Sequence, residues 1–334
     1  MEHLLSLAQE AGRSWDISHG TLRMISYREN AVFEVRLPDG RRAALRLHRP
    51  GYMDEAALRS EILWLSALSG SGVPVPRPIP TTAGATLIEV QDGQGSRRAT
   101  MLEWVPGNPI GASRQPLTLK GAERTGLFRN LGAAMAKLHN ASDAWALPAA
   151  FQRHAWDHDG LVGERPLWGR FWEPADAEAE TRQALAHLRE KISAALASAD
   201  SLDYGLIHAD LVRENVLADG DTLHFIDFDD AGFGWRMFDI ATALLPNLDE
   251  PDSEDIGRSL VAGYRTHRPL PDSELANLPM FLVMRALTYV GWFSARPEVD
   301  PSGQRLKQHL GRSMTLAARW QAGWNPLGDM YVGS

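Results

Sequence analysis

The stretch that decides the fold is Leu206-Ile-His-Ala-Asp-Leu-Val-Arg-Glu-Asn-Val-Leu-Ala-Asp-Gly-Asp-Thr-Leu-His-Phe-Ile-Asp227. It contains the motif His208-x-Asp210-x4-Asn215, followed by an apolar segment that ends in Asp227. Transfer of a phosphoryl group from a nucleotide requires a carboxylate that accepts a hydroxyl proton, together with an amide and a second carboxylate that hold magnesium. One short segment of the chain therefore supplies the side chains that this chemistry needs.

The spacing of these residues also predicts a β-hairpin. Val216 begins a short strand, Asp219-Gly220 is a strong turn signal, and the return strand covers residues 223–226. A hairpin brings the residue before its first strand close to the residue after its second strand. We therefore expect these two flanking residues to converge with the carboxylate of Asp210, which lies in the loop just upstream.

The motif resembles the catalytic and metal-binding loops of the aminoglycoside phosphotransferase and choline kinase-like superfamily, nearest its stress-response kinase A and type II homoserine kinase-like branch. The resemblance implies a protein-kinase-like fold and extends over roughly residues 20–330. Other segments that carry it occur in the expected order, at 26–35, 44–50, 61–65, 74–76, 103–107 and 227–241.

The resemblance also implies a role for each residue of the motif. Asp210 is the catalytic base, and His208 braces the loop around it. Asn215 and Asp227 ligate magnesium. Asp239, which opens a helix further downstream, steadies the catalytic loop.

Composition and charge argue against several other classes of protein. The chain has 334 residues, a net charge of −8 and no basic run, which argues against a nucleic-acid partner or an anionic membrane surface. It contains no cysteine, which excludes disulfides and thiolate zinc sites. The N-terminus lacks the pattern of a signal peptide, and the apolar run 279–293 is too short to span a bilayer and predicts a buried helix. We expect a cytoplasmic protein.

The pattern of elements, taken with the resemblance, predicts an α+β protein with a bilobal, protein-kinase-like fold. We expect an N-terminal nucleotide-binding lobe at 1–105, with an antiparallel sheet and one helix that begins after Asp54. The C-terminal lobe at 106–334 should be mostly helical and carry the catalytic hairpins, the acceptor site and an aromatic insert at about 141–175. Strands are predicted at 21–27, 31–37, 42–47, 86–90 and 99–105, and further helices at 123–139 and 174–199.

Candidate nucleotide-binding residues lie in the predicted N-terminal lobe. The family fold often has a phosphate-binding lysine on its third strand, and Arg46 stands at that position, either as a phosphate ligand or as a solvated strand residue. Glu61 either orients Arg46 or is a solvated helix charge. No glycine-rich loop precedes the second strand, so Arg28 and Asn30 either contact phosphate or form a plain hairpin turn. The hinge, whose backbone would bind adenine unless it is an ordinary inter-lobe strand, is predicted at Glu103, Trp104 and Val105.

Aromatic and charged side chains predict the acceptor site. The segment Trp145–Trp172 is unusually aromatic and either roofs this site, as the resemblance implies, or packs onto the helical lobe. Asp229 and Asp230 either face the acceptor, where they would favour an amine, or form a solvated turn. Arg285 and Trp292 share an apolar helix and either contact the acceptor or belong to the core. The charge of Arg285 needs a partner in both cases.

These residues predict an ATP- and Mg²⁺-dependent phosphotransferase that acts on a hydroxyl of a small metabolite. One alternative is a protein Ser/Thr kinase of the stress-response type, but a protein acceptor needs an open groove, and the aromatic insert favours a closed pocket. The other alternative is a nucleotide-binding regulator without turnover. The missing glycine-rich loop permits it, and the intact Asp210, Asn215 and Asp227 argue against it.

Overall fold

The computed structural model describes residues 2–17, 22–27, 30–92, 95–199 and 202–328. The chain divides into two compact units. The first unit comprises 1–108, 145–153 and 217–226, and the second comprises 109–144, 154–216 and 227–334. Among the described residues, no helix is both long enough and apolar enough to cross a bilayer.

The first unit is built on a five-stranded antiparallel sheet with the strand order β1-β2-β3-β5-β4. Its strands are β1 (Arg23–Tyr27), β2 (Ala31–Arg36), β3 (Arg42–Leu47), β4 (Ile88–Asp92) and β5 (Gly95–Glu103). Burial alternates along β2, where Phe33 and Val35 face the core, as expected for a sheet with one buried face. The predicted sheet is confirmed.

The first unit also has two helices. Helix α1 (Glu2–Gly12) precedes β1, and helix α2 (Glu55–Gly70) lies between β3 and β4 in the sequence. Helix α2 begins after Asp54, whose Oδ1 accepts the backbone N–H of Ala57 at 2.8 Å, so the predicted N-cap is confirmed. Helix α1 is an addition, because the sequence analysis expects a single helix in this region. Its buried residues Leu4, Leu7, Ala8 and Ala11 follow the spacing of one helical face and pack into the core of the sheet.

The rest of the chain is mostly helical, as predicted. Its helices are α3 (Gly121–Ala144), α4 (His158–Val162), α5 (Ala179–Ser198), α6 (Arg236–Leu244), α7 (Ser253–Arg265), α8 (Asp272–Leu275), α9 (Leu278–Ser294) and α10 (Gln304–Gln321). Its strands are β6 (Asn108–Pro109), β7 (Ala155–Trp156), β8 (Tyr204–Ile207), β9 (Val216–Asp219), β10 (Thr222–Phe225) and β11 (Gly232–Trp235). Strands β9 and β10 are the predicted hairpin, with Gly220 in the left-handed conformation at its turn (φ 58°).

The candidate site lies in the second unit, among a small sheet and closely packed helices. Strand β11 pairs with β8 and with β7, and α3 packs on α7. A Cβ at Gly132 would lie 1.9 Å from the carbonyl oxygen of Leu260, so only glycine allows this approach of the two helices. Helix α9 packs against α6 and α10 and is buried along most of its length, which confirms the predicted buried helix and places Arg285 inside it.

Candidate active site

The loop that carries Asp210 begins where β8 ends, and Asp239 in the first turn of α6 fixes its conformation. The Asp239 carboxylate accepts the backbone N–H of His208 at 2.9 Å and that of Ala209 at 2.6 Å. Ala209 has a φ of 64°, a left-handed conformation that costs energy for a residue other than glycine and persists only where neighbouring groups enforce it. The two hydrogen bonds therefore set the direction in which the chain presents Asp210, and the prediction that Asp239 steadies this loop is confirmed.

A buried chain of hydrogen bonds holds Asp239 in turn. Burial and the nearby Arg236 lower the pKa of His139 to about 4, so its ring is neutral at pH 7 and donates through one nitrogen only. His139 Nε2 donates to Asp239 Oδ2 at 3.0 Å, and the Tyr264 hydroxyl donates to Nδ1 at 2.8 Å. Burial opposes ionisation of Asp239, but the hydrogen bond from His139 and the neighbouring His208 outweigh it and lower its pKa. Asp239 is thus an ionised structural brace.

Asp210 projects from this loop into contact with two donors. Asn215 Nδ2 donates to Asp210 Oδ2 and to its backbone oxygen, each at 2.9 Å. Arg285 Nη2 donates to Asp210 Oδ1 at 2.5 Å. The side chain of Asp210 remains 22% exposed, and each carboxylate oxygen has a second lone pair. Asp210 can therefore accept a further hydrogen bond from a ligand hydroxyl.

An ion network that the sequence analysis does not predict holds the 3-10 turn Arg213–Asn215. The Arg213 side chain donates to Glu250 at 2.8 Å and to Asn247 at 2.7 Å. Glu250 also pairs with Arg124 at 3.1 Å, and all of these side chains are buried. Arg213 lies inside the motif, and a buried arginine there signals an acidic partner, but nothing local in the sequence identifies Glu250. The network fixes the turn that carries Asn215.

Asp227 follows the hairpin and is exposed, with a φ of 66°. The next residue, Phe228, packs its ring on that of His208 with 4.4 Å between centroids, and both rings are buried. His208 Nδ1 accepts the backbone N–H of Asp210 at 3.3 Å. The predicted bracing contact of His208 is thus present, and it links the segment that begins at Asp227 to the loop that carries Asp210.

Arg285 is fully buried beside Asp210, in a setting of aromatic rings. Its guanidinium lies 4.8 Å from the ring centroid of Trp168, 4.6 Å from that of Tyr289 and 5.7 Å from that of Phe238. Nη2 also donates to the Tyr289 hydroxyl at 3.0 Å, whereas Nε and Nη1 find no hydrogen-bond partner among the described residues. Burial disfavours the charge of Arg285, but Tyr289 and Asp210 outweigh it and raise its pKa.

The aromatic insert meets the catalytic residues through Asp230. Trp168 Nε1 donates to Asp230 Oδ1 at 3.1 Å, and Trp156 Nε1 donates to the Asp230 carbonyl at 2.7 Å. The ring of Trp168 lies 6.5 Å from that of Trp292. Asp229 is buried, whereas Asp230 is partly exposed, and both lie in a turn. Trp168 thus contacts Asp230, Trp292 and Arg285, and Arg285 in turn binds Asp210.

The first part of the insert packs elsewhere. The backbone N–H of Gln152 donates to Ser60 of α2 at 2.8 Å, and Arg153 lies 3.6 Å from Glu61 Oε2. Glu61 Oε1 accepts Arg46 Nη1 at 2.7 Å, and all three charged side chains are buried. The predicted ion pair between Arg46 and Glu61 is present, whereas Arg153 is a partner that the sequence analysis does not predict. The alternative that Arg46 and Glu61 are solvated charges is wrong.

The other predicted nucleotide-binding residues lie at the ends of the strands. Arg28 lies outside the described residues. Asn30 is buried and its Oδ1 accepts the backbone N–H of Arg49 at 3.0 Å, so this side chain ties the start of β2 to the segment after β3.

The predicted hinge follows β5. The backbone N–H of Glu103 donates to the carbonyl oxygen of Arg77 at 2.8 Å, and that of Trp104 donates to the carbonyl oxygen of Arg42 at 3.3 Å. The Arg42 guanidinium also lies 4.0 Å from the Trp104 ring centroid. Val105 comes next and is partly exposed. These bonds fix the backbone of the predicted hinge.

A sequence profile described as the Phosphotransferase enzyme family matches residues 23–273, which is most of the chain and includes the whole catalytic motif. The chain belongs to this family. The resemblance to the aminoglycoside phosphotransferase and choline kinase-like superfamily is thereby confirmed.

Two named relatives can be aligned with most of this chain. It is 26% identical to the amicoumacin kinase of Bacillus subtilis (strain 168) over 319 residues, 92% of this chain and 90% of the relative. It is 30% identical to a homoserine kinase of Methylobacterium nodulans over 280 residues, 78% of each chain. Both relatives are named as kinases, so the chain is a kinase-like phosphotransferase.

Solved structures agree on the fold. The microcompartment-associated aminopropanol kinase superposes with a TM-score of 0.84 at 32% identity, covering 96% of this chain and 99% of that one. The amicoumacin kinase hAmiN, solved with AMP-PNP, Ca²⁺ and its substrate, gives a TM-score of 0.78 at 19% identity, covering 94% of this chain and 93% of that one. The predicted kinase-like α+β fold is confirmed.

The side chains of this phosphotransferase fit the divalent metal that its family implies. The described residues contain no group of three or more His, Cys, Asp or Glu side chains that could hold an ion alone. Magnesium, however, is commonly held by one or two carboxylates together with nucleotide phosphates and water. Asp227 offers an exposed carboxylate, and Asn215 uses its Nδ2 on Asp210, so its amide oxygen points away from that residue. Asp227 and Asn215 therefore bring two hard oxygen groups to this end of the hairpin, which suits such an ion.

Proposed function

We propose that this chain is an ATP- and Mg²⁺-dependent kinase that phosphorylates an alcohol group of a small molecule. The observation that carries the proposal is Asp210. Asp239 holds the backbone of the preceding two residues, and the Asp210 carboxylate is bound by Asn215 and Arg285 and is still partly exposed. A carboxylate in this setting suits the acceptance of a proton from a hydroxyl group.

In the reaction, a bond forms between the acceptor oxygen and the γ-phosphorus of ATP as the bond from that phosphorus to the ADP oxygen breaks. The hydroxyl proton passes to Asp210. Asn215 and Asp227 would hold magnesium, which supplies positive charge next to the phosphates. Arg46, kept in place by Glu61, would bind phosphate oxygens. The contribution of the protein is mainly positioning and electrostatic stabilisation.

A small acceptor is supported by the aromatic side chains near Asp210. Trp168 and Trp292 offer flat apolar surfaces that bury a small ligand at little conformational cost. The named relatives are kinases of amicoumacin, homoserine and aminopropanol, and all three acceptors carry an amine. Asp230, whose carboxylate already reaches Trp168, is the proposed partner for such a group. A protein acceptor has less support, because it would need an open groove.

The test is a panel of hydroxylated small molecules, assayed for phosphorylated product and for ADP release with and without magnesium. We expect ADP release to require both magnesium and an acceptor. Nucleotide binding without product for any alcohol would indicate a regulator and refute the proposal. Phosphorylation of a protein substrate with no activity on the panel would support the alternative kinase class.

A further inference from the structure

Arg285 is a buried cation with several hydrogen-bond donors unused, so a ligand of this site could bind it. A guanidinium has five N–H donors, and a buried cation is stable only when its charge and most of its donors are matched. Arg285 is fully buried, yet it makes only two hydrogen bonds, to Asp210 and Tyr289. Nε and Nη1 have no hydrogen-bond partner in the described part of the chain. Among the residues that the structure describes, Asp210 is thus the one carboxylate that hydrogen-bonds this cation, and Asp230 contributes charge without a hydrogen bond.

The aromatic rings around Arg285 do not fully replace the missing partners. The faces of Trp168 and Tyr289 attract the cation, but a ring face is a weaker acceptor than a carboxylate oxygen. Trp168 is itself held by the hydrogen bond from its indole to Asp230. A ligand that binds Asp230, or that displaces Trp168, would expose the guanidinium of Arg285 and could then contact it directly.

The same contact limits Asp210. Oδ1 carries the hydrogen bond from Arg285 at 2.5 Å, and Oδ2 carries that from Asn215 at 2.9 Å. A ligand oxygen that accepts the hydrogen bond from Arg285 in place of Asp210 would therefore stabilise the buried cation. It would also leave Asp210 Oδ1 available for the acceptor hydroxyl. An anionic oxygen does this best, because bonds between charged groups are about twice as strong as neutral ones.

We propose that Arg285 selects acceptors that carry a carboxylate in addition to the hydroxyl, so that the preferred substrate class is hydroxylated amino or organic acids. This inference rests on the proposed function and refines the acceptor of that same site. The ligand carboxylate binds Arg285, and in doing so it frees Asp210 to act on the hydroxyl. Plain amino alcohols lack the group that Arg285 receives.

The test compares acceptors that differ only in the carboxylate. Serine is paired with ethanolamine, and homoserine with the aminopropanol that remains when its carboxylate is removed. In the pair that is phosphorylated faster, we expect kcat/KM of the acceptor with the carboxylate to be at least about 10-fold higher than that of the acceptor without it. This factor is the scale of one hydrogen bond to a charged group. In Arg285→Gln this preference should fall by roughly 10- to 100-fold, and Arg285→Lys should retain part of it, because a lysine keeps the charge but not the planar donor set.

Two controls separate selectivity from folding. Arg258→Gln removes an arginine that pairs with Asp255 on α7, and it should leave the preference unchanged. ATP binding measured by calorimetry should persist in every variant, which shows that the chain is folded. If the best acceptor in the panel lacks a carboxylate, or if the preference survives in Arg285→Gln, the inference is wrong although the kinase activity stands. If no alcohol is phosphorylated, the proposed function itself fails.

Discussion

Replacement of Asp210 by Asn tests the proposed base and its contact with Arg285 at the same time. The amide cannot accept the hydroxyl proton, so turnover should fall by roughly 10²- to 10⁴-fold, the range for loss of a general base. The substitution also removes the carboxylate that hydrogen-bonds the fully buried guanidinium of Arg285. The new amide oxygen can still accept from Arg285, but its NH₂ group then faces the NH₂ group of Asn215 across a contact that is now 2.9 Å.

The expected loss of stability follows from these contacts. The buried guanidinium of Arg285 then faces a neutral oxygen in place of a carboxylate, and Asn215 Nδ2 loses its acceptor, which together should cost about 1–3 kcal/mol. Arg285→Met in the same chain removes the buried charge. The double variant should therefore regain most of the lost stability while its turnover stays low, because the base is still absent.

The assay combines steady-state ADP release with thermal unfolding of the wild type, the single variant and the double variant. Asp219→Asn is the matched control, because it makes the same chemical change at the exposed hairpin turn. ATP affinity should change little in all four proteins. Turnover of Asp210→Asn within about 10-fold of the wild type would refute the assignment of the base. A double variant that is less stable than the single one would refute the argument about the buried charge.

Three further outcomes are expected. Asp227→Ala should abolish the tightening of nucleotide binding by magnesium in calorimetry, because it removes an anionic oxygen ligand, and an unchanged magnesium dependence would place the metal elsewhere. Arg46→Ala should weaken ATP more than adenosine, with partial rescue in Arg46→Lys; equal weakening would point to a role in folding. Acidification from pH 6.5 towards 4 should destabilise the protein, because the pKa of His139 is lowered to about 4 and the unfolded chain binds this proton first. The difference between the pKa of His139 in the folded and the unfolded chain corresponds to roughly 3 kcal/mol of unfolding free energy. His139→Gln should therefore flatten the pH dependence of Tm between pH 6.5 and 4.

The parts of the fold that the sequence predicts are those with local signals. The turn at Asp219-Gly220 and the cap at Asp54 each depend on residues a few positions apart, and both are present. Helix α1 also has a local signal, because Leu4, Leu7, Ala8 and Ala11 follow the spacing of one helical face, although the sequence analysis expects only α2 in this region.

The parts that the sequence leaves open are the partners of buried charges. Burial of Arg285 in an apolar helix requires a counter-ion, but the residue that supplies it, Asp210, lies 75 positions away. Glu61 likewise meets Arg153, 92 positions downstream. Such pairs depend on how helices and loops fold back on one another, so physical chemistry predicts that a partner exists without identifying it. Only tertiary structure does.

The contrast between Asp210 and Asp239 explains why spacing alone cannot assign their roles. Both are aspartates that contact the same loop, and either could be a proton acceptor on sequence grounds. Asp239 is completely buried, and its two oxygens are consumed by backbone N–H groups and by neutral His139. Asp210 keeps part of its surface, and its carboxylate accepts from two side chains. Two carboxylates in such different environments are suited to different tasks. A ligand hydroxyl can reach only Asp210, so the residue that braces the loop cannot also serve as its base.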